Sequence, residues 1–486
     1  VIRVPAPQDS GASAEAERRD WQASDIQVTD RNVIRRAVAA AAIGNVTEWF
    51  DFGVYAYLET TIEKVFFQGA TPAVATMGTL GIFAVSFLVR PFGGLFFGPL
   101  GDRIGRTKVL SLTVILMAVG TFCIGVLPGY QQVGAIAPML MLLCRLVQGF
   151  STGGEYGGAM TFIAEYAPDK RRGFLGSWLE FGTCTGYALG ATLALLITSN
   201  LPDEDLYSWG WRIPFLVAGP LGVIGLYLRS KLEETPAFQQ LAAESEGREG
   251  NQTLAAFREI FVDHWRPVLV CGGLVLAFNV TNYMLTTYMP TYLSSTLPQG
   301  GKPTIDDTTS QLLQILVLLA IMIVITFLGR LSDRIGRRKV VFAGCAALIV
   351  LSYPSIQLIQ GGTDGSVFGG LALMGLMLVC FNSTMPSTLP ALFPTEIRYG
   401  GLSIAFNISV SLFGGTTAAV VGGLVILTGD LNMPAYYLMA AGVIGAIAIF
   451  CTKESAARPL LGSAPAAEDE QDAARIAEEY QLAGTR

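Results

Sequence analysis

A short charged segment occurs twice in this chain, each time between two long apolar runs. It reads GPLGDRIGRTK at 98–108 and GRLSDRIGRRK at 329–339. Gly98, Asp102, Arg103, Gly105, Arg106 and Lys108 return as Gly329, Asp333, Arg334, Gly336, Arg337 and Lys339. A charged hinge duplicated in register with hydropathy marks an internal repeat, and so two homologous bundles of helices. A second echo agrees. APDKRRG, with Pro168 and Arg172, and FPTEIRYG, with Pro394 and Arg398, keep the same Pro-to-Arg spacing.

Of the 486 residues, 51% are hydrophobic and 14% charged, against about 25% charged in soluble domains. The chain reads as an all-α polytopic membrane protein. A helix needs about 20 apolar residues to cross a bilayer, and twelve such stretches lie between residues 34 and 451. They divide into a polar N-terminal tail (1–30), a six-helix bundle (31–229), a central polar loop (230–265), a second six-helix bundle (266–453) and an acidic tail (454–486). Of the 32 Lys and Arg, only Lys64, Arg212 and Lys302 fall outside the cytoplasm if both termini and the central loop are inside, with Arg90 and Arg145 within spans. Positive residues favour the cytoplasmic side, so both termini are expected there. Seven scattered cysteines lack paired spacing and read as small core residues. The one histidine, His264, precedes a span. No pattern calls for a disulfide, a metal, a cofactor, a nucleic acid or an enzyme's nucleophile–base arrangement.

A charge in hydrocarbon costs several kcal/mol or more, so each one invites a functional reading. Helix 1 carries Asn45, Glu48 and Asp51 in GNVTEWFDFGVY. At about 100° per residue they share a face with Tyr55. Helix 4 aligns Arg145, Gln148, Thr152 and Glu155 on one stripe. Glu48, Asp51, Arg145 and Glu155 are the candidates for proton coupling; the structural alternative is a static ion pair that fixes helix packing. Arg90 on helix 2 and Glu180 on helix 5 sit towards the cytoplasmic ends of their spans, where a packing role is equally expected. Helices 7 to 12 have no ionisable side chain in their spans, so proton handling belongs to the first half. Asp102, Arg103 and Arg106, with Asp333, Arg334 and Arg337, are expected to form a conformational gate of charge pairs at the cytoplasmic face.

The runs GNVTEWFDFGVY, VRPFGGLFFGPLGDRIGR, GFSTGGEYGGA, GSWLEFG, WGWRIPF and LEETPAF resemble the metabolite:proton symporters of the major facilitator superfamily across residues 30–458. NVTNYMLTTYMPTYL, STLPALFPTEIRYGGLSIAFNISV and MPAYYLM are similar to its osmoregulatory branch. The resemblance implies twelve helices, alternating access, and uptake of zwitterionic compatible solutes such as proline, glycine betaine and ectoine with protons across a bacterial inner membrane. Some members of that branch end in a long coiled coil. The tail here, GSAPAAEDEQDAARIAEEYQLAGTR, has room for two or three helical turns, short of the three to four heptads such a coil needs.

A betaine presents a quaternary ammonium that suits aromatic faces and a carboxylate that suits a cation or neutral donors. Asn45, Trp49, Tyr55, Gln148, Tyr156, Asn279, Asn282 and Tyr283 are the substrate-binding candidates. Two other readings stay open: an organic-acid:proton symporter for a dicarboxylate such as 2-oxoglutarate, and a transporter-like osmosensor that does not transport.

Overall fold

The long helices begin and end where local chemistry directs. The computed structural model describes residues 22–69, 72–230, 234–235, 238–239, 258–303 and 305–484. The expected polar N-terminal tail up to residue 21 and most of the central loop lie outside these. Helix α1 (Arg31–Tyr57) starts at Asp30, whose carboxylate accepts from the Asn32 backbone N–H at 2.7 Å, a helix cap. Then come α2 (Pro72–Ile104), α3 (Arg106–Val126), α4 (Ile136–Tyr166), α5 (Arg172–Asn200) and α6 (Arg212–Ser230). The second half holds α7 (Trp265–Tyr283), α8 (Asp307–Ile335), α9 (Arg337–Ile359), α10 (Asp364–Asn382), α11 (Arg398–Ser409, resuming at Thr417–Thr428) and α12 (Met433–Phe450). Ten spans among the described residues are long and apolar enough to cross a membrane. Helices α1 and α2, at 27 and 33 residues, complete the twelve.

Two helices widen locally. Helix α7 runs on through π turns at Met284–Tyr288 and Tyr292–Thr296, and α11 passes through another at Val410–Gly414. Such turns leave the regular ladder and recur at functional sites.

In the first half α1 packs on α5, α2 on α4, and α3 on α4 and α6; in the second, α9 packs on α10 and α12, and α7 on α12. The main contacts between the halves are α5 with α8 and α2 with α11, and α4 also packs on α11. Lipid gives little hydrophobic drive to helix association, so close backbone approach must hold α1 to α5. Gly182, Gly186 and Gly190 line one face of α5. A Cβ there would lie 2.6, 2.3 and 2.5 Å from the carbonyl oxygens of Ala42, Val46 and Phe50.

The acidic tail is more ordered than two or three free turns. Strand β1 (Gln27–Val28) pairs in parallel with β2 (Ala466–Ala467), and α13 (Glu470–Gly484) packs Ala473, Ile476 and Ala477 against Ile26 and Ala467. The tail thus lies on the end of the molecule that carries the two repeated loops, here called the loop face. Lys170 and Arg171 reach it through Asp472 at 2.9 Å and Glu468 at 3.4 Å.

Candidate functional site

Two buried ion pairs form the centre. Arg145 of α4 donates to Asp51 of α1 at 2.6 Å, and Arg90 of α2 donates to Glu48 of α1 at 2.6 Å. All four side chains are buried. Arg90 thus joins the centre, against its reading as a near-cytoplasmic packing residue. The reason is length: α2 continues past the apolar run to Ile104, which places Arg90 deeper than the hydropathy boundary implied. Gln148, one turn from Arg145, donates to Asp51 at 3.1 Å and to Thr121 of α3 at 2.6 Å. Glu155 is drawn elsewhere, accepting from the Thr113 hydroxyl on α3. The stripe on α4 therefore divides, with its first two members on Asp51 and its last on α3.

Aromatic rings enclose the pairs. The Arg145 guanidinium lies 3.9 Å from the Tyr55 ring centre, and Arg90 lies 5.4 and 5.3 Å from Phe52 and Phe87. A desolvated contact of this kind contributes about 2 kcal/mol. Tyr283 of α7 meets Phe87 at 5.4 Å and Trp49 at 6.3 Å, so the second half closes this wall. Phe52 and Phe87 escaped the sequence reading; only their helical spacing from Glu48 and Arg90 could have singled them out. The Trp49 indole N–H and Arg145 Nη2 are buried without a hydrogen-bond partner among the described residues. Such groups in a buried centre are open to a polar ligand.

The remaining candidates have other partners. Asn45 donates to the Leu179 carbonyl at 2.8 Å and to Thr183 at 2.5 Å, tying α1 to α5. Tyr55 donates to the Thr79 carbonyl at 3.0 Å. Asn279 turns back to Val275 of its own helix at 3.0 Å. Asn282 is buried at the α7 turn. Tyr156 of α4 donates to Glu180 of α5, and its ring lies tilted against Phe406 of α11 at 4.6 Å.

At the loop face the two sequence echoes meet across the halves. Asp102 accepts from the backbone N–H groups of Tyr399 and Gly400 at 3.2 and 2.6 Å, at the start of α11. Asp333 accepts from Gly173 and Phe174 at 2.7 and 2.8 Å, at the start of α5. Each carboxylate caps a helix of the opposite half, and the positive helix N-terminus favours it. The pairing expected within each loop is also present: Asp102 with Arg106 at 3.2 Å and Asp333 with Arg337 at 3.0 Å. Arg103 and Arg334 stand exposed outside this network. Gly105 and Gly336 adopt φ of 112° and 104°, conformations costly for other residues. Each lets the chain turn under a carboxylate, Glu234 or Glu454, that accepts from the next helix's first N–H at 3.0 Å.

One element breaks the symmetry. Glu165 at the end of α4 pairs with Arg106 at 3.5 Å and with Arg398 of the other half at 2.7 Å. Arg106 also crosses to the Thr395 carbonyl at 2.9 Å. By the Pro168–Pro394 echo, Ala391 stands where Glu165's counterpart would be.

Charged centre, helix repeat and reciprocal caps define a membrane transporter of two bundles with one face closed. A family profile described as Sugar (and other) transporter matches residues 37–259, and one described as Major Facilitator Superfamily matches 296–476. The chain is 50% identical over 460 residues to the proline/betaine transporter of Salmonella typhimurium, covering 94% of this chain and 91% of that protein. It is 48% identical over 460 residues to the glycine betaine/proline/ectoine/pipecolic acid transporter of Dickeya dadantii, covering 94% and 90%. The proton:xylose symporter XylE superposes with a TM-score of 0.74 at 16% identity, covering 89% of this chain and 99% of that one, a likeness of fold. The chain belongs to the major facilitator superfamily, and within it to the metabolite:proton symporters.

Proposed function

We propose that this transporter imports zwitterionic compatible solutes, among them proline, glycine betaine and ectoine, together with protons, in answer to osmotic stress. Its place is the bacterial plasma membrane, with the loop face and both termini in the cytoplasm. The units at 31–229 and 266–453 are the two bodies that rock about the centre.

One observation carries the reading: two arginine–carboxylate pairs side by side, walled by aromatic rings from both halves. The four charged groups, Arg90, Glu48, Arg145 and Asp51, sum to zero. A zwitterion matches a neutral centre; a dianion such as 2-oxoglutarate finds no net positive charge there. The solute's carboxylate suits the spare Arg145 N–H and the Trp49 indole N–H, as charge-assisted bonds. Its ammonium suits the faces of Trp49 and Tyr283, with Asn282 close by on α7. Coupling follows because a proton and an arginine compete for the same carboxylate, and a solute carboxylate and an aspartate compete for the same arginine.

The test is uptake of labelled glycine betaine, proline and 2-oxoglutarate into reconstituted vesicles under an imposed proton gradient. Accumulation of the zwitterions alone is expected. Accumulation of 2-oxoglutarate alone would replace this reading with organic-acid symport, and no accumulation of any would favour the non-transporting sensor. In the same vesicles Glu48→Gln and Asp51→Asn are expected to lose gradient-driven accumulation.

A further inference from the structure

We infer that Glu180 is the exit-side proton site: it holds the transported proton while the loop face is closed and releases it to the cytoplasm when that face opens. The inference rests on the symport reading above.

Position comes first. Glu180 is eight residues into α5, about 12 Å along the axis from the capped end at 1.5 Å per residue. Its neighbours Leu179 and Thr183 hold Asn45, which lies one turn of α1 nearer the loop face than Glu48. Glu180 therefore sits between the Glu48–Arg90 pair and the gate. It is 1% exposed.

Its partners come second. The Tyr156 hydroxyl donates to it from α4. Among the described residues no arginine or lysine pairs with Glu180, whereas Glu48, Asp51, Asp102, Glu165 and Asp333 each have an arginine. The titratable and charged groups facing it are Tyr156 of α4, Glu48 of α1 with its Arg90 of α2, Tyr283 of α7, and Cys184 of its own helix. Helix α8 also packs on α5 and has no Asp, Glu, Lys or Arg between Asp307 and Arg330. From α10 comes neutral Asn382, whose amide points to Cys184 Sγ at 3.9 Å.

A buried carboxylate without a counter-ion is strongly disfavoured, and a proton relieves it. Glu48 and Asp51 already have their cations; on Glu180 a proton takes that place. Opening the loop face separates α5 from α8 and admits water. The O–H bond of Glu180 then breaks, its proton passes to a water on the cytoplasmic side, and the hydrated carboxylate remains. In the next cycle it is refilled from the Glu48 side, by one proton taken up with the solute outside.

The experiment uses the full chain in vesicles carrying a lumenal pH dye. Inward betaine movement by the wild type should acidify the lumen. Glu180→Gln should abolish that acidification and lower gradient-driven accumulation at least about tenfold, a coupling loss of about 1.4 kcal/mol, while betaine counterflow continues. Glu180→Asp, which keeps the acid, should acidify the lumen. Glu180→Gln moving as many protons per betaine as the wild type would overturn the assignment, as would equal loss of counterflow in both variants, since Glu180 would then be a packing residue. A wild type that moves betaine and no protons would instead overturn the symport reading itself.

Discussion

The two copies of the loop-face contact are built alike and clamped unequally. In each, an aspartate caps the first turn of a helix from the other half, and a glutamate caps the helix that follows the loop. The first copy has a further carboxylate, Glu165, bonded to Arg106 of its own half and Arg398 of the other. The second has Ala391 at the corresponding place. Repetition thus supplies the docking surface, and a single unrepeated acid makes one side stronger. The interior shows the same division. The first half carries Glu48, Asp51, Arg90, Arg145 and Glu180, while the spans of the second half carry amides and tyrosines. The halves share their docking contacts and differ in the charge buried along their spans.

This inequality can be broken by substitution. Glu165→Gln should have the largest effect, because it takes the carboxylate from buried Arg398 and one of two from buried Arg106. Removing one partner of a buried pair costs about 3–5 kcal/mol, enough to shift a closed state to mostly open. A thiol placed at Ser177, which packs against Gly329 across the α5–α8 contact, should then react from the loop side in vesicles. An unreactive thiol would show that Glu165 does not clamp the gate.

Asp333→Asn should come next. It weakens the cap on α5, for which losses of about 0.5–2 kcal/mol are usual, and no counterpart of Glu165 supports it. Asp102→Asn should be milder in thiol accessibility, because Glu165 still bridges the halves. Both should slow transport and leave betaine binding measurable by calorimetry. Equal accessibility in the two variants would remove the asymmetry from the mechanism.

The smallest effect is expected from the tail. Deleting 462–486 should leave substantial uptake, since exposed ion pairs each contribute about 0–1 kcal/mol. The Asp472 carboxyl sits below its ordinary 3.8: burial acts to raise it, and hydrogen bonds from Lys170 and Arg475 outweigh that. A lowered acid lends support above its ordinary value, lost as pH falls through the folded one. Protease protection of the tail should therefore hold at neutral pH and fail in strong acid. Complete loss of uptake by the deleted, correctly inserted protein would make the tail part of the gate itself.

The spans, the repeat and the loop aspartates were legible in sequence because hydropathy, spacing and duplication are local signals. Asp51 and Arg145 were legible because charge in an apolar run is costly. The Arg90–Glu48 pair was not, since depth along α2 depends on where the helix stops, and its polar last turn hides that. Glu165 gave no signal either. It lies at the end of α4, where a polar residue is ordinary, and its meaning comes from Arg398, brought to it by folding. The tail's length was legible; its docking was not, because two residues of Gln27–Val28 and two of Ala466–Ala467 make too short a strand pattern to read.

That ribbon has a consequence for biosynthesis. Its first strand leaves the ribosome before the first helix, and its partner follows only after the twelfth. Until then the loop-face ends of the two bundles lack this seam. The ribbon is thus a completion mark: it can zip only on a polypeptide that has been made, threaded and assembled through to its last span.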